Sequence, residues 1–297
     1  MAGLITRFAP SPTGPLHLGH AFSALTAWDL AQASGGEFLL RIEDIDRPRC
    51  KPEWEAAIAE DLRWLGLDWP EPVMRQSARI TAYGRALAML DAMGLTYACI
   101  CTRADIRAAL SAPQEGAPVI GPDGPVYPGT CRAAGHAAPE AAIRLDMAAA
   151  MARLGGMVSF TETGPVYSGQ HVFDAARMVG RVGDIVLARR DIGTSYHLAV
   201  VVDDAAQGVS LVTRGADLFA ATAIHVVLQR LLDLPVPDYH HHRLIRDEDG
   251  KRLAKRDDAR ALSLYRAQGL RPEEIRALVG LPPGIERAGL PARTPPG

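Results

Sequence analysis

Apolar residues recur along the first third of the chain at the spacings of alternating strands and helices. Pro52 stands in the first turn of one predicted helix and Gly66 just beyond its end, which is the usual placement of these two residues. The spacing predicts strands at 4–8 and 38–42 and helices over 17–33, 52–65 and 80–93. This alternation predicts an α/β protein with a parallel sheet of Rossmann type.

The pattern changes after this first region. Residues 111–128 are rich in Pro and Gly and show no period, which indicates an excursion from a compact domain. Apolar runs at 184–189 and 198–202 predict further strands, and a helix is expected over about 216–232. We therefore expect an interrupted sheet with four segments: the first half of a catalytic domain (1–96), an inserted subdomain (97–182), the second half (183–235), and a loop with a helical C-terminal region (236–297).

Composition narrows the class of protein without identifying a partner. The 297 residues are 48% hydrophobic and 22% charged, which is typical of a globular protein. The formal charge is −2, so a nucleic acid would have to be bound by a local patch of cations. Apolar runs fall far short of the ~20 residues of a membrane-spanning helix. The N-terminus lacks the pattern of a secretory signal, so the expected location is the cytoplasm, with no membrane partner.

A loop rich in Pro and Gly joins the first strand to the first helix, which begins with two imidazoles. His17 and His20 are three positions apart and share one side of the helix N-terminus, a place that favours phosphate. Two metal ligands or two solvated side chains are the alternatives. The segment reads Arg7-Phe8-Ala9-Pro10-Ser11-Pro12-Thr13-Gly14-Pro15-Leu16-His17-Leu18-Gly19-His20.

Carboxylates follow the second predicted strand. Glu43, Asp44 and Asp46 come directly after it, where open α/β sheets bind ligands, and one of them could pair with a substrate ammonium. A solvated turn is the alternative.

Two later residues are candidates for binding an acid. Tyr196 precedes the apolar run at 198–202, and Arg214 precedes the predicted helix at 216. A guanidinium binds a carboxylate with two hydrogen bonds, so Arg7 and Arg214 are both candidates. A core tyrosine and an ordinary surface cation are the alternatives.

Cysteines predict a metal site. Cys99 and Cys101 form a Cys-x-Cys pair and Cys131 follows at a distance, which supplies most of a tetrahedral zinc site. His136 is the nearest candidate for a fourth ligand. The alternative is three buried apolar thiols.

Together these motifs resemble the class I aminoacyl-tRNA synthetases. His17-Leu18-Gly19-His20 resembles the family's His-Ile-Gly-His signature, and the run from Arg7 to Gly14 narrows the resemblance to the glutamyl branch. The segments around Glu43, Tyr196 and Arg214 are similar to that branch as well. The resemblance implies a glutamate pocket formed by Arg7, Phe8, Ala9, Pro10, Ser11, Glu43, Tyr196 and Arg214. It implies ATP binding and catalysis by His17, His20 and Lys255, with Gly19 also at the ATP.

The second signature of the class is matched less well. Residues 251–256 resemble Lys-Met-Ser-Lys-Ser, with Lys255 at the phosphate-binding position, one of only three lysines in the chain. Arg252 and Ala254 depart from the pattern, so the hydroxyl of the signature is absent and only the charge of Lys255 remains.

One subfamily of the glutamyl branch, the glutamyl-Q tRNA(Asp) synthetases, is similar in its cysteines. That resemblance implies one structural Zn²⁺ held by Cys99, Cys101, Tyr127 and Cys131, with the tyrosine phenol as the fourth ligand. The chain ends some forty residues after the second signature. We therefore expect a stand-alone catalytic core without an anticodon-binding domain.

The resemblance implies a particular reaction. The enzyme would activate L-glutamate with ATP and Mg²⁺, independently of tRNA, and transfer it to queuosine at the wobble position of tRNA(Asp), acting as a monomer. The alternatives are a minimal glutamyl-tRNA synthetase, another nucleotidyltransferase, and a non-catalytic protein that binds glutamate, ATP or tRNA.

Overall fold

The computed structural model describes residues 3–111, 119–136, 141–246 and 260–284. The strands in these residues are β1 (Ile5–Phe8), β2 (Glu37–Ile42), β3 (Met74–Arg75), β4 (Thr96–Cys99), β5 (Ile120–Gly121), β6 (Gly124–Pro125), β7 (Ala142–Leu145), β8 (Met157–Glu162), β9 (Gly169–Asp174), β10 (Val186–Ala188), β11 (Leu211–Gly215) and β12 (Asp238–His242). The helices are α1 (Leu18–Ala33), α2 (Pro52–Trp64), α3 (Ile80–Ala92), α4 (Arg103–Ser111), α5 (Met147–Arg153), α6 (Ala175–Arg177), α7 (Tyr196–Ala206), α8 (Thr222–Leu231), α9 (Leu262–Ala267) and α10 (Pro272–Leu278).

A parallel sheet forms the centre of the fold, as the sequence predicts. β2 pairs in parallel with β1 and β3, while β12 pairs in parallel with β11 and β8, and β9 adds an antiparallel edge. The backbone N–H of Ser210 donates to the carbonyl of Ile5 at 3.0 Å and brings β11 beside β1. The strand order reverses between β1 and β11, and open α/β sheets bind ligands at the carboxyl ends of strands at such a point.

The first two helices begin and end where the local sequence predicts. His17 caps α1 by accepting a hydrogen bond from Gly19 N. Pro52 occupies the first turn of α2, where a missing N–H costs nothing, and Gly66 follows the helix with φ of +80°, a conformation that side chains disfavour. The helices predicted over 17–33, 52–65 and 80–93 are therefore confirmed to within a residue or two at each end.

The run at 198–202 is helical, so the prediction of a strand there is wrong. These residues lie in α7, which Ser195 caps by accepting a hydrogen bond from Leu198 N. Four of the five are buried, because α7 packs against both α3 and α8. An apolar stretch covered from several sides has no amphipathic period, and its sequence cannot distinguish a buried helix from a buried strand. The helix predicted over 216–232 is present as a 3₁₀ turn (Ala216–Ala221) followed by α8.

The segment between the halves of the sheet contains a second, antiparallel sheet. β7 pairs with β4 on one side and β10 on the other, and β5 and β6 form a small hairpin. That hairpin lies close to a turn of π-helix at 178–182. A Cβ on Gly121 would be 2.6 Å from the carbonyl oxygen of Arg181. The central sheet includes β8 from the predicted inserted subdomain (97–182) and β12 from the predicted C-terminal region (236–297). The division of the chain into four segments stays a prediction.

Apolar side chains form two main cores. One packs α1 and α2 against β1 and β2, and the other packs α3, α5, α7 and α8 against the strand β8 and its neighbours. α9 and α10 contribute Leu262 and Ile275 to the first core. In the described ranges, none of the helices has both the length and the apolar character needed to cross a membrane.

Candidate functional site

A cavity of about 340 Å³ opens where the carboxyl ends of β1 and β11 meet the N-terminus of α1. Most residues predicted to bind glutamate or ATP line it, although they come from distant parts of the chain. Those residues are Arg7, Phe8, Ala9, His17, Gly19, His20, Glu43, Tyr196 and Arg214.

Three predicted residues are not part of this lining. The carbonyl of Pro10 accepts a hydrogen bond from the N–H of Glu43 at 3.0 Å, so Pro10 supports the carboxylate through the backbone. Ser11 is exposed and does not line the cavity. Lys255 lies outside the described residues.

His17 and His20 form a reciprocal cap at the start of α1. His17 Nδ1 accepts from Gly19 N at 3.1 Å, and His20 Nδ1 accepts from His17 N at 3.2 Å. Because both Nδ1 atoms are acceptors, each neutral ring carries its proton on Nε2 and is a donor there. In the part of the chain that the structure describes, neither histidine belongs to a group that could hold a metal ion. The arrangement therefore favours the phosphate interpretation over the metal one.

A buried network of charges holds the acidic side of the cavity. Arg7 donates to both oxygens of Asp204, at 3.0 and 3.3 Å, and to the carbonyl of Thr213 at 3.1 Å. Arg41 donates to Asp204 at 2.7 Å and to Glu43 at 3.2 Å. Arg7 is thus already paired with a carboxylate, which weakens its candidacy as the residue that binds a substrate acid.

Glu43 and Asp204 are both buried, but their pKa values shift in opposite directions. Burial raises the pKa of Glu43, and the guanidinium groups of Arg41 and Arg7 offset only part of that effect. Burial also raises the pKa of Asp204, but Arg7 and Arg41 outweigh it and lower the value overall. Asp204 is therefore ionised within the network, whereas a further cation such as an ammonium group would stabilise the ionised form of Glu43.

Arg214 has a different environment, because its partners are neutral. It donates from Nε to His241 Nε2 at 3.1 Å, from Nη1 to His225 Nδ1 at 2.9 Å and from Nη2 to Thr222 Oγ1 at 2.7 Å. Its side chain is 5% exposed, and none of the described residues places a carboxylate within salt-bridge distance of it. A buried cation without a counterion is costly, so the site is suited to bind an anion.

The two imidazoles beside Arg214 stay neutral. Burial, and then the charge of Arg214, lowers the pKa of His225 well below its ordinary value. Burial also lowers the pKa of His241, although a hydrogen bond with the buried Glu162 opposes this. Neither ring competes with the guanidinium for a ligand anion.

Tyr196 is the first residue of α7 and lines the same cavity as Glu43 and Arg214. Burial raises the pKa of its phenol, which remains a neutral hydrogen-bonding group. Tyr196 is therefore a pocket residue, and its ring also lies edge-on to His225, with 5.7 Å between centroids.

Three thiols lie together at the end of β4 and in the loop after β6. The ligand atoms of Cys99, Cys101 and Cys131 are all within 4.8 Å of one another. Tyr127 Oη is 3.4 Å from the sulfurs of both Cys99 and Cys101, and it accepts the N–H of Cys131 at 2.9 Å. His136, which the spacing left as an alternative fourth ligand, does not belong to the cluster.

The geometry and the thiol chemistry of this cluster fit a metal ion. Zn–S bonds of about 2.3 Å in a tetrahedron require sulfurs roughly 3.8 Å apart, close to the 3.4 Å between Cys101 and Cys131. Burial raises the pKa of Cys101 to about 11. It also raises the pKa of Cys131, but hydrogen bonds from Tyr127 and Cys101 outweigh it and lower the value to about 6, towards the thiolate form that metals bind.

Sequence reasoning assigned no role to several residues that shape the site. Arg41 lies in the strand predicted at 38–42 and Asp204 follows the apolar run at 198–202, but no sequence signal indicated their pairing, which joins strand β2 to helix α7. His225 is a polar residue in the apolar helix α8, and that contrast was its only signal. His197 and Asp123, which continue the hydrogen bonds beyond His225, gave no signal.

An enzyme that activates an amino acid has to hold a nucleotide beside a carboxylate. In this cavity a helix N-terminus, which favours phosphate, lies near Arg214, which has no carboxylate partner among the described residues. That combination, with this strand order, defines the catalytic core of a class I aminoacyl-tRNA synthetase. The family model for the catalytic domain of class I tRNA synthetases (E and Q) matches residues 3–288. The chain belongs to this family.

Individual relatives agree with that assignment. The chain is 63% identical over 283 residues to a glutamyl-Q tRNA(Asp) synthetase from Rhodobacter capsulatus, which covers 94% of this chain and 100% of the relative. It is 46% identical to the protein of that name from Nocardia farcinica, over 97% of this chain and 90% of the relative. The crystal structure of the glutamate-tRNA synthetase from Elizabethkingia anophelis superposes with a TM-score of 0.73 at 26% identity. The match covers 93% of this chain and 61% of that one, so this chain spans less than two thirds of that synthetase.

Proposed function

We propose that this protein is a ligase that activates L-glutamate with ATP and transfers it to queuosine at the wobble position of tRNA(Asp). The observation that supports glutamate activation is the environment of Arg214. This buried guanidinium has no carboxylate partner among the described residues, and it lines the same cavity as Glu43. The names of the relatives from Rhodobacter capsulatus and Nocardia farcinica support the transfer step.

The charges of the cavity match those of glutamate. The ammonium group pairs with Glu43, whose burial favours a cation beside it. The α-carboxylate has to remain available to react, so the side-chain carboxylate is assigned to Arg214. Tyr196 lines the same cavity, and Arg7 acts mainly by holding Asp204 in place.

The first chemical step joins glutamate to ATP. An oxygen of the α-carboxylate attacks the α-phosphorus, the bond to the bridging oxygen breaks, and pyrophosphate leaves with that electron pair. His17 and His20 stabilise the developing charge with their Nε2–H groups at the N-terminus of α1. Lys255 is proposed as a further phosphate contact. Mg²⁺ would bind together with ATP and offset the charge of its phosphates.

In the second step a hydroxyl of the queuosine cyclopentenediol attacks the acyl carbon. The bond between this carbon and the phosphate oxygen breaks, AMP leaves with its electron pair, and the proton of the hydroxyl passes to the solvent. We further propose that the enzyme acts as a monomer.

We further propose one structural zinc ion held by Cys99, Cys101, Tyr127 and Cys131. The clustering of the ligand atoms supports this set. An ion bound by these residues would cross-link β4 to the loop after β6, so it would stabilise the fold and take no part in the reaction.

The deciding experiment supplies ATP, labelled glutamate, and tRNA(Asp) with or without queuosine. We expect glutamate-dependent exchange of pyrophosphate into ATP without tRNA, and label on tRNA(Asp) only when queuosine is present. Label on the 3′-terminal ribose of tRNA(Glu) would instead identify a minimal charging enzyme. Binding of both substrates without exchange would identify a non-catalytic protein.

A further inference from the structure

A continuous chain of hydrogen bonds runs from the glutamate pocket to the inserted segment. Arg214 Nη1 lies 2.9 Å from His225 Nδ1, and His225 Nε2 lies 2.9 Å from His197 Nδ1. His197 Nε2 lies 2.8 and 2.9 Å from the two carboxylate oxygens of Asp123. Both imidazoles are buried, whereas the Asp123 side chain is 48% exposed.

The two ends of this chain determine where each proton lies. A guanidinium can only donate, so His225 Nδ1 accepts and the proton of this ring is on Nε2. That N–H then donates to His197 Nδ1, which leaves the proton of His197 on Nε2. The carboxylate of Asp123 accepts this last N–H. Every donor meets an acceptor only if both rings are in the Nε2–H tautomer.

The other tautomer would damage the pocket. If His225 carried its proton on Nδ1, that N–H would point at the N–H of Arg214 at 2.9 Å. Two donors facing each other lose a hydrogen bond and repel, so the guanidinium would have to move. The carboxylate at the far end of the chain removes this possibility.

Asp123 is far from His197, His225 and Arg214 in the sequence. It occupies the turn of the β5–β6 hairpin, four residues before Tyr127 of the thiol cluster. The backbone of Gly121 in this hairpin lies against the carbonyl of Arg181. The contact between Asp123 and His197 therefore ties the inserted segment to the first turn of α7.

We propose that Asp123 is a positioning residue for glutamate binding: through His197 and His225 it selects the tautomers that hold Arg214 in place. This inference rests on the proposed function, because it assigns Arg214 to the substrate carboxylate. It also makes glutamate affinity depend on the docking of the β5–β6 hairpin.

Kinetics of three variants test the proposal in the exchange assay. Asp123→Ala removes the terminal acceptor and should raise the KM for glutamate roughly tenfold, the effect of losing one well-placed hydrogen bond, while the KM for ATP and kcat change little. Asp123→Asn keeps an acceptor oxygen and should stay close to wild type. Glu53→Ala is the matched control, since it removes an exposed carboxylate paired with Lys51 on another surface.

Two kinetic outcomes would overturn the proposal. One is an unchanged glutamate KM in Asp123→Ala. The other is an equal loss in Asp123→Asn and Asp123→Ala, which would assign the effect to charge and not to tautomer selection.

A spectroscopic measurement tests the same inference without activity. Long-range ¹⁵N–¹H correlation spectra of the ¹⁵N-histidine-labelled full chain distinguish the two neutral tautomers of each ring. We expect His197 and His225 to be in the Nε2–H form in the wild type, and His197 to show a mixture in Asp123→Ala. An Nδ1–H form of either ring in the wild type would refute the inference. If the wild type shows no glutamate-dependent exchange, the proposed function fails, while the tautomers still report on the chain of hydrogen bonds.

Discussion

Replacing Arg214 by Lys separates the shape of this cation from its charge. A guanidinium has five N–H donors, and three of those of Arg214 are used by His241, His225 and Thr222. The other N–H groups can bind a carboxylate with two parallel hydrogen bonds. An ammonium group keeps the charge but lacks the planar fork, so Arg214→Lys should bind the substrate acid with fewer hydrogen bonds.

The size of the effect follows from this count. Losing one hydrogen bond between charged groups costs about 1.5–3 kcal/mol, and 1.36 kcal/mol corresponds to a factor of ten. The KM for glutamate should therefore rise roughly 10- to 150-fold. The KM for ATP should change far less, because Arg214 is assigned to the amino acid and not to the nucleotide.

The assay is glutamate-dependent exchange of pyrophosphate into ATP, with each substrate varied in turn. Arg7→Lys is the matched control, since Arg7 lines the same cavity but is already paired with Asp204. We expect it to cause a smaller rise in the glutamate KM than Arg214→Lys. An unchanged glutamate KM in Arg214→Lys, or a larger rise in Arg7→Lys, would refute the assignment.

Three further predictions concern the metal, pH and stability. Elemental analysis should find one zinc per chain in the wild type and in Cys50→Ser but none in Cys131→Ser, since Cys50 lies outside the cluster; protein without zinc would leave the thiols as core residues. The KM for glutamate should rise as pH falls through the pKa of Glu43, which burial raises, because protonation removes the anion that binds ammonium; Glu43→Gln should show a high KM without this pH dependence, and a persisting dependence would implicate another group. Asp204→Asn should lower the free energy of unfolding in urea by about 3–5 kcal/mol, because Arg7 and Arg41 lose a buried counterion; an unchanged midpoint would contradict this.

Short-range sequence signals were sufficient to predict the secondary structure at the start of the chain. The Pro at the beginning of α2, the Gly after its end and the period of apolar residues between them are short-range signals, and they located the helix correctly. The strand–loop–helix segment that carries His17 and His20 was predictable for the same reason. The family resemblance then assigned residues to a pocket, and most of them line one cavity.

The apolar run in α7 shows where such reasoning fails. Its residues are buried by contacts with α3 and α8, which lie more than a hundred residues before it and some twenty residues after it. Because the neighbours cover several faces, the sequence carries no period that reports the backbone conformation. Only the packing decided between strand and helix.

The amino-acid sequence by itself predicted the class of fold, the capped start of α1 with its two histidines and the three cysteines that lie together, because each prediction depends on residue type and short spacing. The tertiary structure alone decided which charges are already neutralised. Arg7 and Arg214 look equivalent in the sequence, yet the first meets Asp204 and the second meets neutral imidazoles. Those partners lie up to 197 residues away in the sequence. The electrostatic energy of a buried charge depends on the groups that packing places around it.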